Sequence, residues 1–256
     1  MKISILTLFP DMFDGFQTNS IIKRAIGKQI VEIEIINIRD FTEDPYGRVD
    51  TPPIGGGAGL IQKAQPIVDA LESIKKEGSY TILTSPRGIP FNQSKAKELS
   101  HKDHLIIICG HYEGIDERVN KYTDELVSIG DYILTGGEIP AMAISDSIIR
   151  LLEGAISSES LEDESFNNLL LEYPQYTEPR DFRGDKVPDI LYSGNHIAIA
   201  KWRRKQQLLL TKACRNDLFS QISLSKEDKK LLEDDEQKWE KEAIEKGKKF
   251  MIKKER

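Results

Sequence analysis

The chain has 256 residues, 30% of them charged, and a formal net charge of -6. This length can form one large domain or two smaller ones, and the charge argues against a protein that is basic over its whole surface. Two cysteines, Cys109 and Cys214, are too few for a disulfide framework and are not spaced like zinc ligands. No leader with a cleavage site and no stretch of membrane-spanning length is visible, so we expect a cytoplasmic protein.

The first part of the chain alternates short apolar strands with helices. We predict strands over residues 2–8, 31–38, 80–84, 104–109 and 125–129, and helices over 20–27, 66–74, 92–99 and 141–152. The helix over 20–27 is expected to end in a glycine cap. Residues 105–108 are apolar without alternation, as in parallel strands covered on both faces. The pattern predicts an α/β fold with a largely parallel sheet and helices on both faces.

Three turns follow three of these strands. They cover residues 85–90, 110–118 and 128–142. Ligands of parallel sheets bind beyond the carboxyl ends of the strands, so we expect these turns to converge on one pocket. The last turn contains Gly130, Gly136 and Gly137 and enters a helix at Pro140. Its glycines let the backbone approach a planar heterocycle, although a tight strand-to-helix connection is the alternative.

Residues 39–59 form a long loop that ends in Gly55-Gly-Gly-Ala-Gly59. The loop lacks the Gly-Lys-Ser/Thr ending of a phosphate-binding loop, and Leu60 breaks a dinucleotide-binding fingerprint. No Gly-x-Ser-x-Gly sequence occurs, and no cluster completes a metal site around His101 and His104, so no metal is predicted. A pocket without phosphate-binding features suits a neutral or cationic ligand.

The composition changes after Leu152. Residues 151–182 contain eight acidic side chains and one basic, whereas residues 183–216 contain eight basic and two acidic. We therefore predict an α/β domain over 1–157, a linker over 158–182 and a helical domain over 183–256. A helix capped by Asn195 carries Lys201-Trp-Arg-Arg-Lys205, which fits a phosphate backbone or an ordinary surface helix with a buried Trp202. Ser225 and Asp228 predict another helix that runs past Trp239.

Seven ordered motifs are distributed along the chain between Leu8 and His196. They are Leu8-Phe-Pro-Asp-Met-Phe13, Gly55-Gly-Gly-x-Gly59, Ser85-Pro-x-Gly88, Cys109-Gly-x-Tyr-Glu-Gly-Ile-Asp-Glu-Arg118, Ile129-Gly-Asp-Tyr-x-Leu-x-Gly-Gly-Glu138, Leu170-Leu-Glu-Tyr-Pro174 and Leu191-x-Ser-Gly-Asn-His196. In these motifs the chain resembles the bacterial tRNA (guanine-N1)-methyltransferases of the SPOUT class. The resemblance implies a trefoil-knotted S-adenosylmethionine domain, a small helical C-terminal domain that contacts tRNA, and a homodimer with its active site at the subunit interface.

The resemblance also assigns functional residues. The cofactor would contact Pro86, Gly88, Gly110, Tyr112, Glu113, Gly114, Ile129, Gly130, Asp131, Tyr132, Ile133, Leu134, Gly136, Gly137 and Pro140. The methyl acceptor would be N1 of the guanosine that follows the anticodon in tRNA. Since guanine N1 carries a proton, a carboxylate should act as general base, and the family position for it corresponds to Glu164, with Asp163 as the alternative. Arg150 would stabilise the negative charge that develops on O6.

Some residues depart from the family pattern, and they leave other interpretations open. Glu164 replaces an aspartate, Glu178 stands where an arginine is usual, and the positions of Thr51, Pro52, Ile54, Leu169 and Gln175 also differ. Arg180 is close enough in sequence to compensate for Glu178. The alternatives are an RNA-binding protein that keeps the cofactor pocket but has lost turnover, and a related methyltransferase that acts on rRNA.

Overall fold

The computed structural model describes residues 1–157, 165–234, 238–239, 241–242 and 244–245. Within it the chain divides into two units, Met1–Ser158 and Glu159–Arg256. The predicted linker over 158–182 falls partly outside the described residues. No helix in the described ranges is long and apolar enough to cross a membrane.

The first unit is built on a parallel sheet. Its strands are β1 (Lys2–Thr7), β2 (Glu32–Asn37), β3 (Asp50–Thr51), β4 (Ile61–Gln62), β5 (Ser79–Pro90), β6 (His104–Ile108) and β7 (Glu125–Ser128). Five of them form one sheet in the order β2-β1-β6-β5-β7, and every neighbouring pair is parallel. The two-residue strands β3 and β4 pair antiparallel. The predicted α/β class and all five predicted strands are confirmed.

Helices cover both faces of this sheet. They are α1 (Asp14–Thr18), α2 (Ser20–Gly27), α3 (Ala64–Ile74), α4 (Gln93–Leu99) and α5 (Glu138–Ile149). One apolar cluster joins residues of α2, α4 and α5 to Leu105 and Ile107, and the other joins α3 to Ile106 and Ile108. Successive β6 side chains therefore enter opposite cores, which explains why this strand is apolar without alternation.

Two predicted connections differ from the structure. Gly27 is the last residue of α2, and the chain leaves the helix through Gln29 at a φ of 59° instead of through a glycine cap. Residues 85–90 were predicted as a turn, but β5 continues to Pro90 with a register shift against β7 between Thr84 and Ile89. The shift displaces residues 85–88 from the regular ladder while the strand resumes beyond them.

The second unit is mainly helical in its described part. A short hairpin of β8 (Asp181–Phe182) and β9 (Asp185–Lys186) precedes α6 (His196–Cys214), α7 (Asn216–Phe219) and α8 (Lys226–Glu233). As predicted, the Asn195 side chain caps α6, and Ser225 forms a capping box with Asp228 at the start of α8. Trp202 is buried against Ile190 and Ala198, so it belongs to a core.

The helix predicted to run from Ser225 past Trp239 is interrupted in the structure. Its first part, α8, ends at Glu233, because Asp234 is extended at φ -64° and ψ 135°, and residues 238–239 are helical again. Two lysines of α6 bind this residue: Lys205 Nζ donates to the Asp234 carbonyl at 2.7 Å, and Lys201 Nζ lies 3.3 Å from its carboxylate. These contacts with the neighbouring helix stabilise the helix end at a position that sequence periodicity does not indicate.

Candidate active site

The three predicted turns do converge at the carboxyl ends of β5, β6 and β7. They surround a cleft of about 470 Å³, which is within the range that small-molecule ligands occupy. Of the residues assigned by resemblance, those that line the cleft are Pro86, Gly110, Tyr112, Glu113, Gly114, Ile129, Gly130, Tyr132, Ile133, Leu134, Gly136, Gly137 and Pro140. The sheet topology thus brings together residues that are up to 54 positions apart in the chain.

Gly88 and Asp131 are not in the lining of the cleft. Gly88 has a packing role in the structure, because a Cβ atom at this position would collide with backbone atoms of Leu126 and Val127. Its missing side chain lets β5 and β7 approach each other where the register shifts. Asp131 is an exposed residue of the turn after β7.

The cleft also has lining residues that were not assigned individually. They are Ile61, Leu83, Thr84, Ser85, Arg87, His111, Ile115, Asn120, Val127, Ser128 and Thr135. Six of them, Ser85, Arg87, His111, Ile115, Ser128 and Thr135, lie within the three turns that were predicted to converge, and Leu83, Thr84 and Val127 belong to the strands before these turns. Ile61 and Asn120 come from β4 and from the 3-10 helix after residue 116, and only the tertiary structure places them at the cleft.

Gly137 is a point of close packing between the turns. A Cβ atom there would collide with Thr84 Oγ1 and would lie 2.7 Å from both Cys109 Cα and Gly110 N. The Gly137 N–H donates to the Gly110 carbonyl at 2.8 Å. Glycine is therefore required for α5 to begin directly against the ends of β5 and β6.

The glycine-rich loop over 55–59 also reaches the cleft. Gly59, at a φ of 77°, lies against the side chain of Glu113, so that a Cβ atom would overlap Glu113 Cγ. The Glu113 N–H donates to the Leu60 carbonyl at 3.1 Å, and the Gln62 N–H donates to the Gly114 carbonyl at 2.9 Å. The end of this loop thus holds the turn that carries Glu113 at the edge of the cleft.

Charged groups at the cleft suit a ligand without phosphate. Arg87 lines the cleft, but its guanidinium lies 2.8 Å from Glu117, and this hydrogen bond lowers the pKa of the Glu117 carboxyl.

Burial raises the pKa of the Cys109 thiol well above its usual value, so this cysteine is not a nucleophile at neutral pH. Among the residues that the structure describes, no group of three or more His, Cys, Asp or Glu could hold a metal ion.

The proposed catalytic residues are not brought together in the described part of one chain. Arg150 follows the last residue of α5, whereas the cleft lies at the start of this helix. At a rise of about 1.5 Å per residue, Arg150 is roughly 15 Å along the helix axis from Pro140. Asp163 and Glu164, the two candidates for the general base, lie outside the described residues.

Fold and cleft together define a class: a parallel α/β protein with a cleft that is lined by three strand-end turns. A family model described as tRNA (Guanine-1)-methyltransferase TrmD matches residues 1–221. The chain belongs to this family.

Curated relatives agree with that assignment. A tRNA (guanine-N(1)-)-methyltransferase of Carboxydothermus hydrogenoformans is 57% identical over 91% of this chain and 92% of its own length. Proteins with the same name from Dictyoglomus turgidum and Clostridium botulinum are 54% and 53% identical over 91% of this chain, and over 96% and 98% of their own lengths.

Proposed function

We propose that the protein transfers a methyl group from S-adenosylmethionine to N1 of the guanosine that follows the anticodon in tRNA. The observation that carries this proposal is the cleft of about 470 Å³ at the strand ends, formed largely by the glycine-rich turns that the family uses for this cofactor. Family membership over residues 1–221 supports the same activity.

The residues of the cleft fit this cofactor. Backbone groups of the turns over 110–114 and 129–137 are available to the adenine and ribose, as in other glycine-rich ligand loops. Tyr132 and Ile133, which are 54% and 81% exposed, supply uncovered apolar surface beside them. The Glu113 carboxylate favours a cationic ligand electrostatically, and the bound cofactor supplies a methyl group made electrophilic by its positive sulfonium.

Two further groups are needed for transfer to guanine N1. The N1 proton must leave before nitrogen becomes a good nucleophile, and we assign its removal to Glu164, with Asp163 as the alternative. Loss of this proton places negative charge on O6, which a fixed guanidinium stabilises. We assign that role to Arg150.

The position of Arg150 favours a homodimer. Because Arg150 and the cleft lie at opposite ends of α5, we propose that each Arg150 serves the cleft of the partner subunit. Each active site then contains groups from two chains, as the resemblance implies.

A methyl-transfer assay with matched tRNA transcripts tests the proposal. The protein is incubated with S-adenosylmethionine labelled in the methyl group and with two transcripts that differ only in having guanosine or adenosine after the anticodon. We expect label in the first transcript only. Equal labelling of both would overturn the assigned acceptor, and tRNA binding without transfer would favour the alternative of an RNA-binding protein that has lost turnover.

The same assay identifies the general base. Glu164→Ala should lower turnover by a factor of about 10² to 10⁴, the usual contribution of general base catalysis, and leave cofactor affinity unchanged. Asp163→Ala is the matched control and should retain activity. If Asp163→Ala is inactive and Glu164→Ala is active, the base is Asp163.

A further inference from the structure

Glu138 is a buried carboxylate with no role in the reaction described above. It is the first residue of α5 and is 1% exposed. Its Oε1 accepts a hydrogen bond from the Thr7 hydroxyl at 2.7 Å, and its Oε2 lies 3.0 Å from Nε2 of His111. A buried carboxylate is unfavourable unless such partners compensate its lost hydration. The hydrogen bonds therefore join the end of β1, the turn after β6 and the start of α5 at one point.

The His111–Glu138 pair lies directly behind the glycine turn of the cleft. A Cβ atom at Gly136 would collide with His111 Nε2 and lie 2.5 Å from Glu138 Oε2. Gly136 and His111 also pair as an antiparallel β-bridge, and the His111 N–H donates to Gln62 Oε1 at 2.9 Å. The side-chain pair thus occupies the space that a side chain at Gly136 would need, and it joins the two turns that this bridge connects.

His111 forms part of a wall between two cavities. A second cavity of about 120 Å³ lies beside the cleft, and both cavities are lined by His111, Thr135 and Gly136. On the side of the second cavity the His111 ring packs against Phe9, with a centroid distance of 4.7 Å. Because His111 lines both cavities, the position of this wall depends on the groups that hold His111.

We propose that His111 and Glu138 are positioning residues for the cofactor, because they hold the wall formed by the turns after β6 and β7 in its binding conformation. Glycine-rich turns lose much conformational entropy when a ligand orders them. Contacts that order the turns beforehand remove this cost from binding and so increase affinity. This inference rests on the proposed function, since it takes S-adenosylmethionine as the occupant of the cleft.

Variants of the pair test this role in the full-length protein. Affinity for S-adenosylmethionine is measured by calorimetry, and KM and kcat by methyl transfer to tRNA. We expect Glu138→Gln to weaken cofactor affinity about tenfold, because its hydrogen bond with His111 loses the charge. KM for the cofactor should rise similarly, whereas kcat and KM for tRNA stay within about twofold, because positioning affects the cofactor cleft alone.

Further variants separate positioning from loss of folding. His111→Gln keeps an N–H donor and should bind the cofactor better than His111→Ala. Thr7→Val removes the other hydrogen bond to Glu138 at nearly constant volume, and it provides the test if Glu138→Gln does not fold. His101→Gln is the matched control, because His101 is an exposed histidine that lines neither the cleft nor the second cavity.

Two outcomes overturn different claims. If the wild-type protein does not bind S-adenosylmethionine, the proposed function fails, and this inference fails with it. The second outcome is that the wild type binds the cofactor and that the affinities of Glu138→Gln, His111→Ala and Thr7→Val all lie within about twofold of the wild-type value. In that case only the inference is wrong. A parallel loss of tRNA and cofactor affinity in a folded variant also contradicts a positioning role.

Discussion

His104, at the start of β6, is held by serines on both sides of its ring. Ser4 Oγ lies 2.9 Å from Nε2 and donates to Glu34, so it accepts the Nε2 proton of the imidazole. Ser79 Oγ lies 2.8 Å from Nδ1 and donates to it. This arrangement satisfies a neutral histidine, and burial lowers the pKa of His104 below its usual value.

The lowered pKa of His104 predicts how stability depends on pH. The unfolded chain binds the proton at the ordinary pKa of 6.5, whereas the folded chain resists it. The contribution of His104 to stability is therefore complete above about pH 6.5 and is lost as the pH falls below it. Urea unfolding measures the free energy of unfolding at about pH 7.5 and at about pH 5.5. The loss of stability between these two pH values should be smaller for His104→Gln than for the wild type. His101→Gln should behave like the wild type, and an equal loss in all three proteins would contradict the prediction.

At the scale of elements, the register shift in β5 depends on Gly88. We expect Gly88→Ala to destabilise the protein by about 2 kcal/mol, because the added methyl group overlaps the β7 backbone at a packed position. Gly27→Ala is the matched control: its Cβ would meet no atom within 4 Å, and alanine in a helix should be neutral or slightly stabilising. Thermal or chemical unfolding measures both changes, and a Gly88→Ala protein as stable as the wild type would refute this role.

Neighbouring arginines of α6 have different surroundings. Arg204 donates through Nε and Nη2 to both carboxylate oxygens of Asp228, at 2.8 and 3.0 Å, and these hydrogen bonds lower the pKa of Asp228. Arg203 instead places its guanidinium 4.7 Å from the ring centre of Tyr173. Both arginines belong to one basic stretch of the sequence, but in the structure Arg204 packs α6 against α8.

Substitutions of the two arginines should therefore have different effects on stability and on tRNA binding. Arg204→Gln should destabilise the protein by about 2 kcal/mol, between the values for exposed and buried ion pairs, because the buried Asp228 loses its partner. Arg203→Gln should lower stability by less than about 1 kcal/mol, the usual size of an exposed cation–π contact, weaken tRNA binding and reduce its salt dependence by about one counterion. Unfolding curves and salt-dependent binding isotherms measure the two effects. If Arg203→Gln leaves the salt slope unchanged, Arg203 does not contact the phosphate backbone.

At the scale of the whole molecule, the proposed dimer predicts complementation between two inactive variants. Arg150→Ala keeps an intact cleft, whereas Gly136→Val keeps Arg150 but disrupts the cleft, because its side chain would collide with His111. In a mixed dimer, the intact cleft receives Arg150 from the other subunit. Random reassociation of equal amounts should restore about one quarter of wild-type activity, because half of the dimers are mixed and each has one working site.

Controls define what the complementation result means. Each variant alone, taken through the same dissociation and reassociation, should stay inactive. No recovery in the mixture would show that Arg150 serves its own chain, provided that sedimentation confirms mixed dimers, and activity of Arg150→Ala alone would show that Arg150 is not required. The trefoil knot implied by the resemblance also belongs to this scale and stays a prediction.

Local patterns in the sequence were sufficient to predict the strands of the sheet. Residues 105–108 predicted a strand covered on both faces, because only such a strand needs apolar side chains on both sides. The structure buries these residues in two different cores. Asn195 and the Ser225–Asp228 pair predicted helix starts for a similar reason, since capping depends on residues three positions apart.

The order of strand, glycine turn and helix also predicted which turns form most of the cleft, because the carboxyl ends of parallel strands lie on one edge of the sheet. Only the tertiary structure decided what depends on contacts distant in sequence. Gly88 serves strand packing, α8 ends at Glu233, Arg204 pairs with Asp228, and Glu138 binds both Thr7 and His111. The Thr7–Glu138 contact joins residues 131 positions apart, a separation at which no local periodicity carries information.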